Sequence, residues 1–223
     1  MSYILNIETA TRNCSVALAK DGKTVLCKEI AEQGYSHAEK LHVFIFEILK
    51  EAGINFQEIQ AIAVSKGPGS YTGLRIGVSS AKGLCYALGI PLIAIDTLTI
   101  LANQIKVENG LIIPMIDARR MEVYSAVFNA DAKMIREVQA EILAEDSFAS
   151  YNETLHFIGD SNEKAKSVLT NSNFVFHEGA VFPSANEMSL LSFTKYQNQD
   201  FEDVAYFEPY YLKDFFITPK KTI

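Results

Sequence analysis

Apolar and polar positions change period several times along the chain, and each change marks an element. Residues 3–9, Tyr-Ile-Leu-Asn-Ile-Glu-Thr, form a β-rich run. Runs at 15–20 and 24–30 flank Asp21-Gly22, a dipeptide that predicts a tight hairpin between two strands. The spacing then becomes helical. Leu41, Phe44, Ile45, Ile48, Leu49 and Ala52 make one apolar stripe on a helix over 36–52, and Gly53 ends it. His42, Val43 and Phe46 fall off that stripe onto the outer face. Residues 59–65 read as a buried strand, and a Gly-Pro-Gly turn leads into a helix over 72–88. The core face of that helix is Leu74, Gly77, Val78, Ala81, Leu84, Cys85 and Leu88. Its outer face carries Ile76, Ser79, Gly83 and Ala87, flanked by Arg75, Lys82 and Tyr86. A solvated helix more often shows Glu and Lys there, whereas small residues let another helix approach closely. Two consecutive helices with such outer faces predict a docking surface. A strand over 89–96 and a helix over 97–105 complete this half.

After 107–110, which reads as a linker, the opening pattern returns. A strand over 111–117 ends in an acid, as the first strand does, and strands over 122–129 and 133–140 follow. Short elements remain at 156–158, 162–169, 174–176 and 185–196. The aromatic tail, Pro209-Tyr-Tyr-Leu-Lys, is expected to pack back on the body. Two β-β-β-α-β-α units in tandem predict an α/β fold of two actin-like (ASKHA, ribonuclease H-like) lobes, residues 1–106 and 107–223. The second lobe is smaller and degenerate. Such a fold does not settle function.

Composition narrows the classes. The 223 residues are 48% hydrophobic with a net charge of -7, which argues for a globular chain and against a uniformly basic nucleic-acid surface. Arg119 and Arg120, with Lys213, Lys220 and Lys221, read by default as an ordinary solvated surface. The N-terminus has no basic region and meets Glu8 early, and no apolar run is long enough to span a bilayer. Cys14, Cys27 and Cys85 show no metal-type spacing. Reduced, structural thiols in a cytoplasmic protein are expected.

The stretch from Ala61 to Val78 is the chemically suggestive one. Gly67 and Gly69 allow torsions that a β-carbon forbids, and Ser70 or Thr72 can cap the following helix. A strand, a glycine-rich turn and a helix start can form an anion site, or can serve only as a tight turn that positions the helix. No Gly-Lys-Ser/Thr follows, so this is not a P-loop. In actin-like ATPases a first-strand carboxylate and a hydroxyl-rich turn hold Mg²⁺ and phosphate; Glu8, Thr9 and Thr11 occupy those places, and Asp117 matches in the second half. The glycine that usually follows the first-strand acid is missing, and Thr9 and Arg12 crowd a triphosphate. Weak ATP or ADP binding with Mg²⁺ is the most these residues suggest. The alternative for Glu8 and Asp117 is strand-end hydrogen bonding to nearby backbone N–H groups. His37 and His42 lie about 140° apart on a helix and cannot grip one metal. No Ser/His/Asp, Cys/His or His-Glu-x-x-His set has signature spacing.

Five stretches carry a specific resemblance. They are Ile7-Glu-Thr-Ala-Thr with Ser15-Val-Ala-Leu, Ser36-His-Ala-Glu-Lys-Leu, Gly67-Pro-Gly-Ser-Tyr-Thr-Gly-Leu-Arg-Ile-Gly, Asp117-Ala-Arg-Arg-Met-Glu-Val-Tyr and Pro209-Tyr-Tyr-Leu-Lys. The chain resembles the TsaB (YeaZ) family of bacterial proteins. Met121 and Lys213 stand where that family usually has glycine and arginine. The resemblance implies an accessory role in making N6-threonylcarbamoyladenosine at position 37 of tRNAs that read codons beginning with A. It implies a non-catalytic partner that heterodimerises with the paralogous transferase TsaD through the first two helices. It also implies self-association through the same surface, assembly with the ATPase TsaE, and contact with tRNA only through the complex. TsaD-like enzymes carry a His-x-x-x-His metal pair on the helix after the last strand of the first half; the matching positions here are Thr97 and Leu101. Two alternatives stand beside this reading: an actin-like ATPase, and a peptidase, a label inherited by similarity.

Overall fold

The computed structural model describes residues 1–31 and 37–213. Ser36, Lys220 and Lys221 lie outside the described residues. Strands β1 (Tyr3–Glu8), β2 (Asn13–Lys20) and β3 (Lys23–Ala31) form an antiparallel meander, with Asp21 and Gly22 at its tip in left-handed torsions. Helix α1 (His37–Ala52) leads through a 3-10 turn into β4 (Ile59–Gly67), then α2 (Tyr71–Leu88), β5 (Leu92–Asp96) and α3 (Thr97–Ala102). The first sheet has the order β3-β2-β1-β4-β5, and β4 and β5 run parallel to β1. The second sheet repeats the plan. It comprises β6 (Leu111–Asp117), β7 (Glu122–Asn129), β8 (Met134–Ile142), β9 (Leu155–Ile158) and β10 (Phe174–Phe176), in the order β10-β9-β6-β7-β8. Helix α4 (Asn162–Lys166) follows β9, and α5 (Met188–Gln197) follows β10.

The alternation along the central strands explains the layers. Leu5, Ile7, Val16, Leu18, Ile62 and Val64 point to one side of the first sheet and pack with Leu41, Ile45 and Ile48 of α1 and Val78, Ala81 and Cys85 of α2. Ile4, Ala17, Ala61, Ala63, Ile93 and Ile95 point to the other side. There they meet Ile100 of α3 and Ala185 and Met188 near α5. Helix α3 also buries Leu98, Leu101 and Ala102 against Ile112, Ile116 and Phe128 of the second sheet, so it ties the sheets together. Capping follows the sequence. The Ser70 hydroxyl accepts from Gly73 N–H at the start of α2, Gly89 ends α2 in the left-handed region, and Asp96 caps α3.

The division at 106/107 places α5 with the second sheet in sequence. In space α5 covers the first sheet. Beyond α5 the chain stays with the first lobe. Glu202 bridges Leu92, Val204 and Phe207 pack on the α1–α2 core, and Tyr210 N–H donates to Lys66 O at 2.7 Å.

Candidate functional site

The end of β1 and the start of α2 interlock. Glu8 is fully buried, and its Oε1 accepts from Ala10 N–H at 2.5 Å. Burial is the largest influence on its carboxyl and pushes it up to about 7; the Ala10 N–H and the neighbouring Ser65 hydroxyl oppose that shift. Thr9 Oγ1 donates to Gly73 O at 2.8 Å, and Ala10 O accepts from Ser70 N–H at 2.6 Å. Thr11 O accepts from His37 Nε2–H at 2.7 Å, and burial holds the His37 imidazole below its usual range, the Thr11 bond opposing. This proximity depends on three glycines four residues apart. A Cβ on Gly69 would strike Ala10 O, one on Gly73 would strike Thr9 O, and one on Gly77 would strike Thr9 Oγ1. Gly67 N–H donates to Thr97 Oγ1 at 3.1 Å; its φ is +114°, and a Cβ there would lie 2.6 Å from Tyr210 O. The N–H groups of Gly67, Ser70 and Gly73, which an anion cradle would offer outward, are thus bonded within the chain.

Asp117 ends β6 at the surface. Its Oδ1 accepts from Arg119 N–H at 2.7 Å and from Lys164 Nζ at 2.6 Å. Strand-end bonding to a neighbouring N–H therefore holds at both Glu8 and Asp117. Asp160 Oδ1 accepts from Asp117 N–H; burial first, and the Asp117 charge after it, push the Asp160 carboxyl up to about 6. Arg119 and Arg120 both adopt left-handed torsions, and Lys213 pairs with Glu122. Thr97 and Leu101 are buried. Among the described residues no group of three or more His, Cys, Asp or Glu side chains could hold a metal ion. A groove of about 790 Å³ lies between β3 and residues 177–187, bordered by Cys27, Glu29, His177 and Ser184. Neither Glu8, Thr9, Thr11 nor Asp117 lines it.

The outer faces of α1 and α2 lie side by side. His42 Nε2 and Ser80 Oγ are 3.3 Å apart across the seam. Val43 is exposed, Phe46 is 62% exposed and Tyr86 85%. Ser79 is exposed, and a Cβ added at Gly83 would meet nothing within 4 Å. Two residues expected on this face depart from it. Ile76 is half-buried and packs on the first core, because α1 beside α2 covers that flank. Lys82 is half-buried, and its Nζ donates to Ala205 O at 3.2 Å and Phe207 O at 2.8 Å. Arg75 is exposed but turns the same way; it stacks on Tyr71 at 4.3 Å and donates to the Tyr211 hydroxyl at 3.3 Å. Residues 202–211 thus strap one edge of α2 and leave Ser79, Gly83 and Tyr86 open. The roles of Gly73 and Thr97 were missed by sequence reasoning. The four-residue spacing of Gly69, Gly73 and Gly77 was the available signal for the first.

These features define a two-lobed α/β protein of the actin-like fold with a closed first-strand turn. The ethanolamine utilization protein EutJ from Carboxydothermus hydrogenoformans shares the fold at TM-score 0.51 and 10% identity, over 85% of this chain and 90% of that one. A family model described as TsaD, tRNA N6-adenosine threonylcarbamoyltransferase, matches residues 24–213. The tRNA threonylcarbamoyladenosine biosynthesis protein TsaB of Escherichia coli K12 is 30% identical over 220 residues, covering 95% of this chain and 94% of that protein. YeaZ from Pseudomonas aeruginosa superposes at TM-score 0.80 with 27% identity, over 95% of this chain and 100% of that one. The chain belongs to the TsaB (YeaZ) family. The chain is also similar to the tRNA N6-adenosine threonylcarbamoyltransferase of Geobacillus kaustophilus, 34% identical over 123 residues, 48% of this chain and 36% of that protein.

Proposed function

We propose that this chain is a non-catalytic subunit for threonylcarbamoylation of tRNA adenosine, docking a TsaD-type transferase through the outer faces of α1 and α2. One contrast carries the reading. The groups that would serve phosphate or Mg²⁺ chemistry engage nearby groups of the chain: Glu8 Oε1 accepts from Ala10 N–H, Thr9 Oγ1 donates to Gly73 O, Thr11 Oγ1 accepts from Asn13 N–H and Asp117 Oδ1 accepts from Arg119 N–H. Meanwhile Val43, Phe46 and Tyr86 stand exposed around the small residues Ser79 and Gly83. Aromatic anchors around a flat small-residue patch suit a helix pair better than water. The similarity of about half of the chain to a transferase supports a partner of related design. A TsaE-type ATPase joins the same assembly, tRNA is met only through the complex, and isolated chains pair through the same face.

The test is complex formation with the TsaD paralogue from the same organism, with Gly83→Arg and Ser79→Arg as variants. Both variants keep the wild-type melting curve and lose the complex. An unchanged complex would place the interface elsewhere. Mg-ATP titration with a turnover assay on the isolated chain separates the alternative; sub-micromolar binding with robust hydrolysis would make the chain an ATPase.

A further inference from the structure

We propose that the turn at residues 9–11 is a positioning latch that sets the placement of α1 and α2, doing with protein atoms what a bound phosphate could otherwise do in such a turn. The proposal rests on the docking reading for its consequence and on geometry for its substance. Three successive residues of the turn reach both helix starts. Thr9 Oγ1 and Ala10 O bond Gly73 O and Ser70 N–H at the start of α2, and Thr11 O bonds His37 at the first residue of α1. Glu8 anchors the turn from below through Ala10 N–H. The glycine notch fixes depth as well as direction. Gly69 just before α2, and Gly73 and Gly77 within it, present bare backbone to Thr9 and Ala10, and a Cβ at any of them would push the helix off the turn. The His37 ring closes the node, its Cδ2 lying 3.3 Å from where a Gly73 Cβ would sit. The open residues Ser79 and Gly83 follow Gly77 on the same rigid helix, so a displacement at the notch is carried to them.

The geometry also supplies a matched pair of variants. Gly77→Ala alone sets a methyl group against Thr9 Oγ1, while the Thr9 Cβ would remain 3.5 Å away, an ordinary contact. Thr9→Ala in the same chain removes the obstructing oxygen. Two readouts are taken on wild type, Gly77→Ala and Thr9→Ala/Gly77→Ala: amide exchange across residues 37–52 and 71–88 of the isolated chain, and affinity for the TsaD paralogue. Gly77→Ala stays folded, raises exchange in the first turns of both helices and weakens the complex about fivefold or more. The double variant lacks the Thr9 hydroxyl bond to Gly73 O but keeps those of Ala10 O and Thr11 O, and it recovers part of both. Exchange in Gly77→Ala that matches wild type, or a double variant no better than the single one, overturns the latch. Wild-type chain that forms no complex while the exchange pattern follows the prediction overturns the docking reading and leaves the latch standing. A normal complex in Gly77→Ala with altered exchange shows that the latch does not reach the interface and overturns its proposed consequence.

Discussion

Replacing Glu8 by Gln isolates the effect of burying a carboxyl at the end of β1. Glu8 is raised from an ordinary 4.5 to about 7 by burial, so the folded chain holds a proton that the unfolded chain has released throughout that interval. Stability is therefore full below the unfolded value, declines as pH rises from 4.5, and carries the whole penalty above 7. At 1.36 kcal/mol per unit, the interval amounts to roughly 3 kcal/mol. Glutamine has nearly the same shape, keeps an oxygen for Ala10 N–H, places an amide beside Ser65, and does not titrate. Wild type and Glu8→Gln are thus expected to differ by less than about 1 kcal/mol at pH 5. By pH 8 the variant is more stable by about 3 kcal/mol, or several degrees in Tm for a chain of this size. Urea unfolding at unit steps from pH 5 to 8 measures this, with equal m-values showing that the unfolded states match. Titration of His37 and Asp160 is common to both proteins and cancels in the difference. Parallel curves across the whole range would refute the argument that Glu8 is held neutral by burial.

The remaining predictions concern neighbouring parts of the molecule. Ser79→Arg and Gly83→Arg abolish the paralogue complex with melting curves unchanged, read by gel filtration of the mixture. Gly77→Ala loosens the first turns of both helices, and adding Thr9→Ala, which relieves the clash but gives up the hydroxyl bond to Gly73 O, restores them in part, read by amide exchange. Lys82→Met removes the two bonds to Ala205 O and Phe207 O, costs about 1 kcal/mol and speeds proteolytic cleavage within 205–211; an unchanged cleavage rate would mean that the strap is held without it. Met188→Ala, a cavity against the first sheet, costs roughly 2–5 kcal/mol, and the amides it deprotects are those of β1, β4 and β5 rather than the second sheet.

The elements were legible because local signals agreed. Asp21-Gly22 has the torsions a hairpin dipeptide requires, the α1 stripe is the buried one, and Ser70 and Gly89 bracket α2 as cap residues should. The site was legible only where one helix decides it. Phe46, Ser79, Gly83 and Tyr86 are exposed because they lie off the stripes of their own helices. Ile76 and Lys82 depart because their surroundings come from elsewhere, α1 for one and the carbonyls of a strap more than a hundred residues away for the other. No period in 71–88 encodes either neighbour. The strand-end acids were readable in kind, since both bond nearby N–H groups, but Glu8 is buried and Asp117 exposed, a difference fixed by packing. Helix α5 carries no mark in its own sequence that it belongs on the first sheet; that follows from the path of the chain.

That path has a consequence for how the protein is made. The face of the first sheet bearing Ile4, Ala61, Ile93 and Ile95 is finished when Asp96 emerges from the ribosome, yet Met188 is synthesised about ninety residues later. At about 5–20 residues per second, an apolar surface of the nascent chain waits roughly 5–20 seconds for its cover. The residues of α1 and α2 are already synthesised by then, but those of the strap that fixes one edge of α2 are not. A partner that reads the strapped edge as well as the open face would recognise finished chains and ignore those still being translated.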